Sequence, residues 1–166
     1  MTPTAATRLA LGTVAERQLA RTAELTTLDA ELDRLTARAA PALPELCGVG
    51  AEVAGALLVT AGDDPARLRS AAAFSMLCGA SPIEASSGKT VRHRLNRGGD
   101  RQANTALYRI VVVRLRWHEP TRKYMARRTT QGLSKKEIIR CLKRYVAREV
   151  FAALMKTSPT ALIQAP

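Results

Sequence analysis

The 166-residue sequence has few aromatic residues, few cysteines and no long apolar run. Only 4% of its residues are aromatic, so a core must be built from Ala, Leu, Val and Ile. No apolar run approaches the ~20 residues that cross a membrane, and the N-terminus lacks a signal-peptide pattern. The three cysteines, Cys47, Cys78 and Cys141, fit neither a disulfide framework nor a zinc site, which favours small buried side chains. We therefore expect one cytoplasmic domain with an appendage, no membrane partner and no metal site in the chain.

The usual catalytic patterns are also missing from the sequence. There is no phosphate-binding Walker loop and no metal-binding pattern of His or Cys. His93 and His118 are the only histidines, and no pattern places either of them in a Ser-His-acid triad. The 14 acidic residues show no paired carboxylates suited to acid–base or two-metal chemistry. These absences exclude the common self-contained hydrolase centres.

What the sequence does have is basic charge, concentrated in one half. Residues 1–85 hold 7 Lys/Arg and 10 Asp/Glu, whereas residues 86–166 hold 19 Lys/Arg and 4 Asp/Glu. Solubility does not require such segregation, because mixed charges would serve as well. A strongly basic half-chain attracts a polyanion, and nucleic acid is the first candidate. An acidic membrane surface is the competing partner, but no lipidation motif or aromatic amphipathic face supports it.

The N-terminal third predicts a long helix. We expect residues 1–8 to be disordered and residues 9–43 to form a coiled-coil-like dimerisation helix that Pro41 and Pro44 bring to an end. Within it, apolar residues recur at 3-4 spacing over residues 25–39, which suits either a coiled coil or an amphipathic helix packed on its own core. The recurring residues are Leu25, Leu28, Leu32, Leu35 and Ala39.

A glycine-containing turn follows at residues 46–50. Gly48 and Gly50 flank Val49 and precede an Ala-rich helix, as in helix-hairpin-helix motifs, where backbone N–H groups face a phosphate. A plain turn between two helices explains the same residues. The sequence is therefore compatible both with a phosphate-binding hairpin and with a plain turn between two helices.

The remaining helical signals define an all-α fold. Asp64 and Pro65 predict the start of a helix that runs to Gly79, and Ser134 with Glu137 forms a capping box that starts the last helix. Apolar periodicity predicts a helix over residues 102–117, with Arg114 largely outside its apolar stripe. We expect the main domain to span residues 44–156 and the tail, residues 157–166, to be frayed. The last helix should bury Ile138, Leu142, Tyr145, Val146, Phe151 and Leu154.

Residues 79–100 form the least helical segment, and long Gly- and Arg-rich loops of this kind usually carry function. Residues 90–95 alternate enough for a short strand or hairpin arm. Ser86, Ser87 and Gly88 stand just before a basic cluster, whose arginines and lysine would stabilise charge on a phosphoryl group. Serines that merely bond their own loop backbone are the alternative. The candidate nucleic-acid-binding side chains in and beside this loop are Lys89, Arg92, Arg94, Arg97 and Arg101.

Four short motifs occur in an order that resembles a known family. They lie at residues 46–50, 74–82, 87–88 and 97–100. Together they are similar to a Gly-Ile/Val-Gly hairpin, a Gly-x-x-Pro segment, a Ser-Gly pair and a basic-x-Gly-Asn/Asp turn that leads into an Ala/Leu helix. This ordered set resembles the C-terminal domain of the bridge-RNA-guided insertion-sequence transposases, the one-ten/one-sixteen family.

The resemblance implies specific roles. It implies that Ser87 is the nucleophile that forms a phosphoserine link to DNA, with Ser86 the less favoured alternative. It also implies that residues 25–39 belong to a coiled-coil element that makes a homo-oligomer, and that DNA and a structured guide RNA are partners. Asn104 stands where many members have Arg, which puts a phosphate contact there in doubt.

The resemblance also implies a missing part. Members carry an N-terminal RNase-H-like domain with four metal-binding acids, and only about eight residues precede the long helix here. We expect a truncated copy, a fragment or a subunit completed in trans, with Mg²⁺ bound only by the missing domain. The leading hypothesis is a serine-dependent DNA transposase domain that is inactive alone. A non-catalytic, oligomerising nucleic-acid-binding remnant and an unrelated RNA-binding scaffold are the alternatives.

Overall fold

The computed structural model describes residues 2–62, 68–89 and 93–156 and confirms the all-α class. Within these ranges six helices surround one core, and a two-stranded antiparallel hairpin interrupts them. The helices are α1 Pro3–Ala39, α2 Ala51–Ala61, α3 Ala71–Leu77, α4 Arg101–Trp117, α5 Glu119–Thr130 and α6 Lys135–Lys156, and the strands are β1 Ile83–Glu84 and β2 His93–Arg94.

Helix α1 is long and lies mostly outside the core. It begins at Pro3, so residues 3–8, which we expected to be disordered, form its first turns, and a proline suits the first helical position. None of residues 2–31 is buried. Only the C-terminal part packs on α2, where Thr36 is buried and Leu32 Cδ1 would lie 3.4 Å from a Cβ built on Gly55. The C-terminal end of residues 25–39 therefore packs on the core, whereas Leu25, Leu28 and Leu35 are exposed, and a coiled coil with a second copy stays a prediction.

The core lies between α2, α3, α4 and α6. On α4 the predicted stripe is buried, and Leu107, Ile110 and Val111 have no exposed surface. On α6 the predicted stripe is also largely buried, but Tyr145 is wrong: it is 48% exposed. Tyr145 precedes buried Val146, and the rotation of about 100° between neighbouring helix residues places it at the edge of the stripe, where its ring meets Tyr124 of α5.

The helix starts are partly confirmed. The predicted capping box is present, since the Ser134 N–H donates to Glu137 Oε2 at 2.9 Å and α6 begins at the next residue. The expected helix from Asp64 is different: α3 begins at Ala71, where the Ser70 hydroxyl accepts from the Ala73 N–H at 3.1 Å. Asp64 and Pro65 lie outside the described residues, as does the tail expected to fray, residues 157–166.

The cysteines only partly follow the expectation of burial. Cys78 is fully buried, and burial, aided by the nearby Asp100 carboxylate, raises the pKa of its thiol to about 12. Cys141 is partly buried, whereas Cys47 is exposed. Cys47 lies in the turn between α1 and α2, and its carbonyl oxygen accepts a hydrogen bond from Arg114 Nε.

Candidate nucleic-acid interface

Two glycine-containing segments, far apart in sequence, are in contact at the base of the loop formed by residues 79–100. The Asp100 N–H donates to the Leu77 carbonyl oxygen at 2.7 Å, which ties the end of the loop to its beginning. Gly79 adopts a left-handed φ of 64°. A Cβ on Gly99 would overlap the backbone N and Cα of Gly79, so the two segments touch backbone to backbone. Residues 79–100 therefore leave the helical core and return to it at a single point.

Between these ends the loop forms a hairpin. β1 and β2 pair antiparallel, with Ile83 opposite Arg94 and Glu84 opposite His93. Of the short strand predicted over residues 90–95, the structure describes a strand at His93–Arg94. Residues 90–92, which include the candidate Arg92, lie outside the described residues. The hairpin is held down at its base by Asn96, whose Nδ2 donates to the Met76 carbonyl oxygen at 2.9 Å.

The predicted nucleophile lies in the segment that connects the two strands. Ser86, Ser87 and Lys89 are all exposed there. Gly88 has a φ of 56°, a left-handed conformation that suits glycine and turns the chain directly after Ser87. Arg94 and Arg97 are also exposed, on β2 and just beyond it. The geometry thus presents a serine hydroxyl and several cations on one projecting loop.

Asn104 has a role inside the protein. Its Nδ2 donates to the Cys78 carbonyl oxygen at 2.8 Å, and its Oδ1 accepts from Lys143 Nζ at 2.8 Å. Burial, with the added repulsion of Arg140, lowers the pKa of the partly buried Lys143 amine. Asn104 therefore holds the Gly79 turn and a lysine of α6 together, and both ends of its amide are engaged.

A basic groove runs between the hairpin base and α6. It encloses about 390 Å³, and His93 and Asn96 line one side. Arg140, Lys143 and Arg144 line the other side. Sequence reasoning placed these three cations on the polar side of the last helix but did not include them among the site residues. Their spacing along one helical face was the available signal.

The other predicted contacts lie elsewhere on the molecule. Gly48, at a φ of 84°, approaches α4 so closely that a Cβ would stand 3.2 Å from the Ile110 carbonyl oxygen. Gly50 is exposed and precedes the first residue of α2. Arg101 lines a separate groove between α2 and α4, with the ion pair of Arg109 and Glu52. The tight approach that Gly48 permits is therefore to another helix of the same chain.

Arg114 departs from the expectation of an exposed side chain. It is 4% exposed, and its Nε donates to the Cys47 carbonyl oxygen at 2.8 Å. Its Nη1 lies 2.6 Å from Glu149 Oε2. Arg114 lies four residues after Ile110 and three after Val111, in line with the buried stripe, so it joins the α1–α2 turn to α6 through the core.

A second cationic feature, which sequence reasoning missed, lies between α5 and α6. We call it the tyrosine–arginine cleft. The rings of Tyr124 and Tyr145 meet edge to face, with centroids 5.6 Å apart. Arg127 and Arg128 lie over the Tyr124 ring at 5.5 and 6.0 Å, and Arg148 lies over the Tyr145 ring at 5.9 Å. The sequence signal was an arginine three or four residues after each tyrosine, but α5 itself was not predicted.

Within residues 2–62, 68–89 and 93–156, no group of three or more His, Cys, Asp or Glu residues is arranged to hold a metal ion. In the same ranges no helix combines the length and the apolar character needed to span a bilayer.

Comparison with known proteins relates the chain to a family of transposases. The family model described as "Transposase IS116/IS110/IS902 family" matches residues 40–126, which is 87 of the 166 residues. No curated protein matches the sequence. The matched segment runs from the end of α1 through the hairpin and into α5, and it contains all four ordered motifs. The chain therefore belongs to the IS116/IS110/IS902 transposase family.

Proposed function

We propose that this chain is the DNA-binding and serine-bearing part of an insertion-sequence transposase, with Ser87 as the nucleophile. The observation that carries the proposal is the position of Ser87 within the family match, on an exposed hairpin loop beside Gly88 and Lys89. The proposed partners are DNA, a structured guide RNA and a second copy of the chain. Arg94 and Arg97, with Arg92, would hold the DNA backbone.

The proposed chemistry is a phosphoryl transfer. The Ser87 hydroxyl oxygen attacks a DNA phosphorus and forms a new P–O bond, while the bond from phosphorus to the 3′ oxygen breaks. The serine proton passes to a base, and the departing 3′ oxygen takes up a proton, so that the 5′ end stays on the serine. Reversal with another 3′ hydroxyl rejoins the strand. Lys89 and the loop arginines can stabilise only the phosphate charge in this step.

The family resemblance places the Mg²⁺ site on an N-terminal RNase-H-like domain, and the residues described here contain no group of His, Cys, Asp or Glu arranged to hold a metal ion. We therefore expect the chain alone, mixed with DNA and Mg²⁺, to form no covalent adduct. Addition of an RNase-H-like domain from a full-length relative, with its guide RNA, should produce a protein–DNA band that resists denaturant.

Two serine variants decide the assignment. The band should vanish in Ser87→Ala and persist in Ser86→Ala. An adduct formed by the isolated chain would contradict the need for a second domain. Loss of the band in Ser86→Ala alone would move the nucleophile to Ser86. If the complemented mixture binds DNA but forms no band, the chain is the non-catalytic nucleic-acid-binding remnant.

The nucleic-acid-binding part has its own test. Binding to duplex DNA should weaken steeply between low and physiological salt, because phosphate contacts release counterions. Replacing Arg92, Arg94 and Arg97 with Gln should weaken binding to unrelated sequences alike and reduce the salt slope by about one per lost contact. Arg122→Gln, on the exposed surface of α5, is the control. Absence of duplex binding at low salt would refute this part.

A further inference from the structure

The tyrosine–arginine cleft has the charge of an anion site. Among the residues described, no carboxylate lines it, and four arginines do: Arg127, Arg128, Arg148 and also Arg144 of α6. The acids of the neighbouring helix surfaces are engaged elsewhere: Glu149 pairs with Arg114, and Glu119 lies near Arg122. Four guanidinium groups around a space of about 270 Å³ repel one another unless an anion neutralises them.

The cleft also has the chemistry to hold a base. Tyr145 is 48% exposed, and nucleobases stack on tyrosine rings and guanidinium planes. Arg128 lines the cleft, and its Nε–H is buried without an acceptor among the described residues. Burial raises the pKa of Tyr124, and the neighbouring Cys141 and Tyr145 raise it further.

We propose that the tyrosine–arginine cleft binds one unpaired nucleotide of a single-stranded nucleic acid, with its phosphate on the arginines and its base against Tyr145. A duplex is excluded for two reasons. Its bases already stack on one another and cannot stack on Tyr145, and a space of about 270 Å³, at the low end for a ligand site, is too small to admit a base pair. The site rests on the proposed nucleic-acid function but is independent of Ser87. Its α6 half lies beyond the family match.

The test compares two tyrosines of nearly equal exposure. The full chain and its Tyr145→Ala, Tyr145→Phe and Tyr108→Ala variants are titrated with a labelled single-stranded RNA, a single-stranded DNA and a duplex DNA. Tyr108, on α4 and outside the cleft, is 47% exposed. Tyr145→Ala should lower single-strand affinity roughly 5- to 150-fold, with duplex affinity changed less than about twofold. Tyr145→Phe and Tyr108→Ala should retain binding.

The outcomes separate the proposals. Loss on RNA alone or on DNA alone supports the site and identifies which strand occupies it. A loss no larger than that of Tyr108→Ala, or an equal loss on the duplex, would overturn it. Duplex binding by the unmodified chain tests the proposed function separately in the same titration. If Tyr145→Ala does not fold, photocrosslinking of the unmodified chain to an iodouridine-containing strand replaces it: adducts at Tyr124 or Tyr145 support the cleft, and adducts only elsewhere refute it.

A second inference rests on the exposed face of α1. The apolar spacing of residues 25–39 extends toward the N-terminus, because Leu11 and Val14 lie two heptads before Leu25 and Leu28. All four are between 58% and 65% exposed. The two intervening positions of the same stripe hold Gln18 and Arg21. A helix of 37 residues thus has a nearly continuous seam with a polar centre and no cover in the described chain.

The charged residues beside this seam favour one orientation of a second α1 helix over the other. In a parallel pair of α1 helices, Arg21 would face Arg21 and Glu24 would lie near Asp29 of the other copy, both repulsive. In an antiparallel pair centred so that Gln18 faces Arg21, Leu25 meets Val14 and Leu28 meets Leu11. That register also brings Arg17 beside Glu24, and Arg8 beside Asp29.

Resting on the second copy already among the proposed partners, we infer that its α1 lies antiparallel to α1 of the first copy in this register. Sedimentation equilibrium of the full chain should show a dimer, and Leu28→Glu should give monomers. Glu24→Arg should weaken the dimer roughly 5- to 30-fold, and Arg17→Glu added to it should restore affinity. A parallel dimer would instead be tightened by Glu24→Arg, which would overturn the orientation. A chain that stays monomeric at high micromolar concentration would overturn the pairing itself.

Discussion

The backbone crossing at the base of the hairpin makes Gly99 the position least able to accept a side chain. In Gly99→Ala the new methyl group would overlap the backbone N and Cα of Gly79 and lie 3.0 Å from the Cys78 carbonyl carbon. These are main-chain atoms, so no side-chain rotation relieves the overlap. Separating the segments would strain the Asp100–Leu77 hydrogen bond, 2.7 Å long.

The cost is that of overpacking in a rigid site. Inserting a methyl group where the backbone must shift costs about 3 kcal/mol, which for a chain of this size lowers Tm by about 6–12 °C. Thermal unfolding followed by far-UV circular dichroism measures the shift. The matched control is Gly98→Ala, because a Cβ there would meet only Asn96 Oδ1, at 3.7 Å. Equal Tm values for the two variants would refute the crossing as a close contact.

Two further predictions concern buried groups. Arg114→Ala leaves the Cys47 carbonyl without its donor and Glu149 without its partner, so the free energy of unfolding measured in urea should fall by about 2–3 kcal/mol. The control, Arg116→Ala on the exposed face of α4, should change it by less than about 0.5 kcal/mol. The pKa of Cys78 is raised to about 12 in the folded chain from an ordinary value near 9, so the stability it contributes is fully present below pH 9 and declines as pH rises toward 12. Cys78→Ala should flatten this alkaline loss of unfolding free energy between pH 9 and 10.5, and a slope unchanged from that of the unmodified chain would contradict the raised pKa.

Much of the secondary structure follows from local patterns. The Ser134–Glu137 box and the apolar spacing over 102–117 predicted two helices, because capping and amphipathic periodicity act over a few residues. The missed helix α5 has its Pro120 near the start but little apolar character, so periodicity alone did not identify it.

The candidate site was predictable in its position along the chain but not in its composition. The Gly-, Ser- and Arg-rich composition of 79–100 indicated a functional loop, and it forms the hairpin that carries Ser87. The groove beneath it depends on Lys143, which Asn104 holds from 39 residues away in sequence. Such a pairing cannot be derived from spacing, because nothing local specifies which helices become neighbours.

The sequence by itself determined the helical class, the charge segregation and the apolar spacing of residues 25–39, since these depend on composition and on periods of seven residues or fewer. Only the tertiary structure decided how individual residues are used. Gly48 faces Ile110, Arg114 is buried, and Tyr145 meets Tyr124 at the surface. Each of these depends on the angle and distance at which two helices pack, and a side chain's neighbours across such a contact are set by the whole fold.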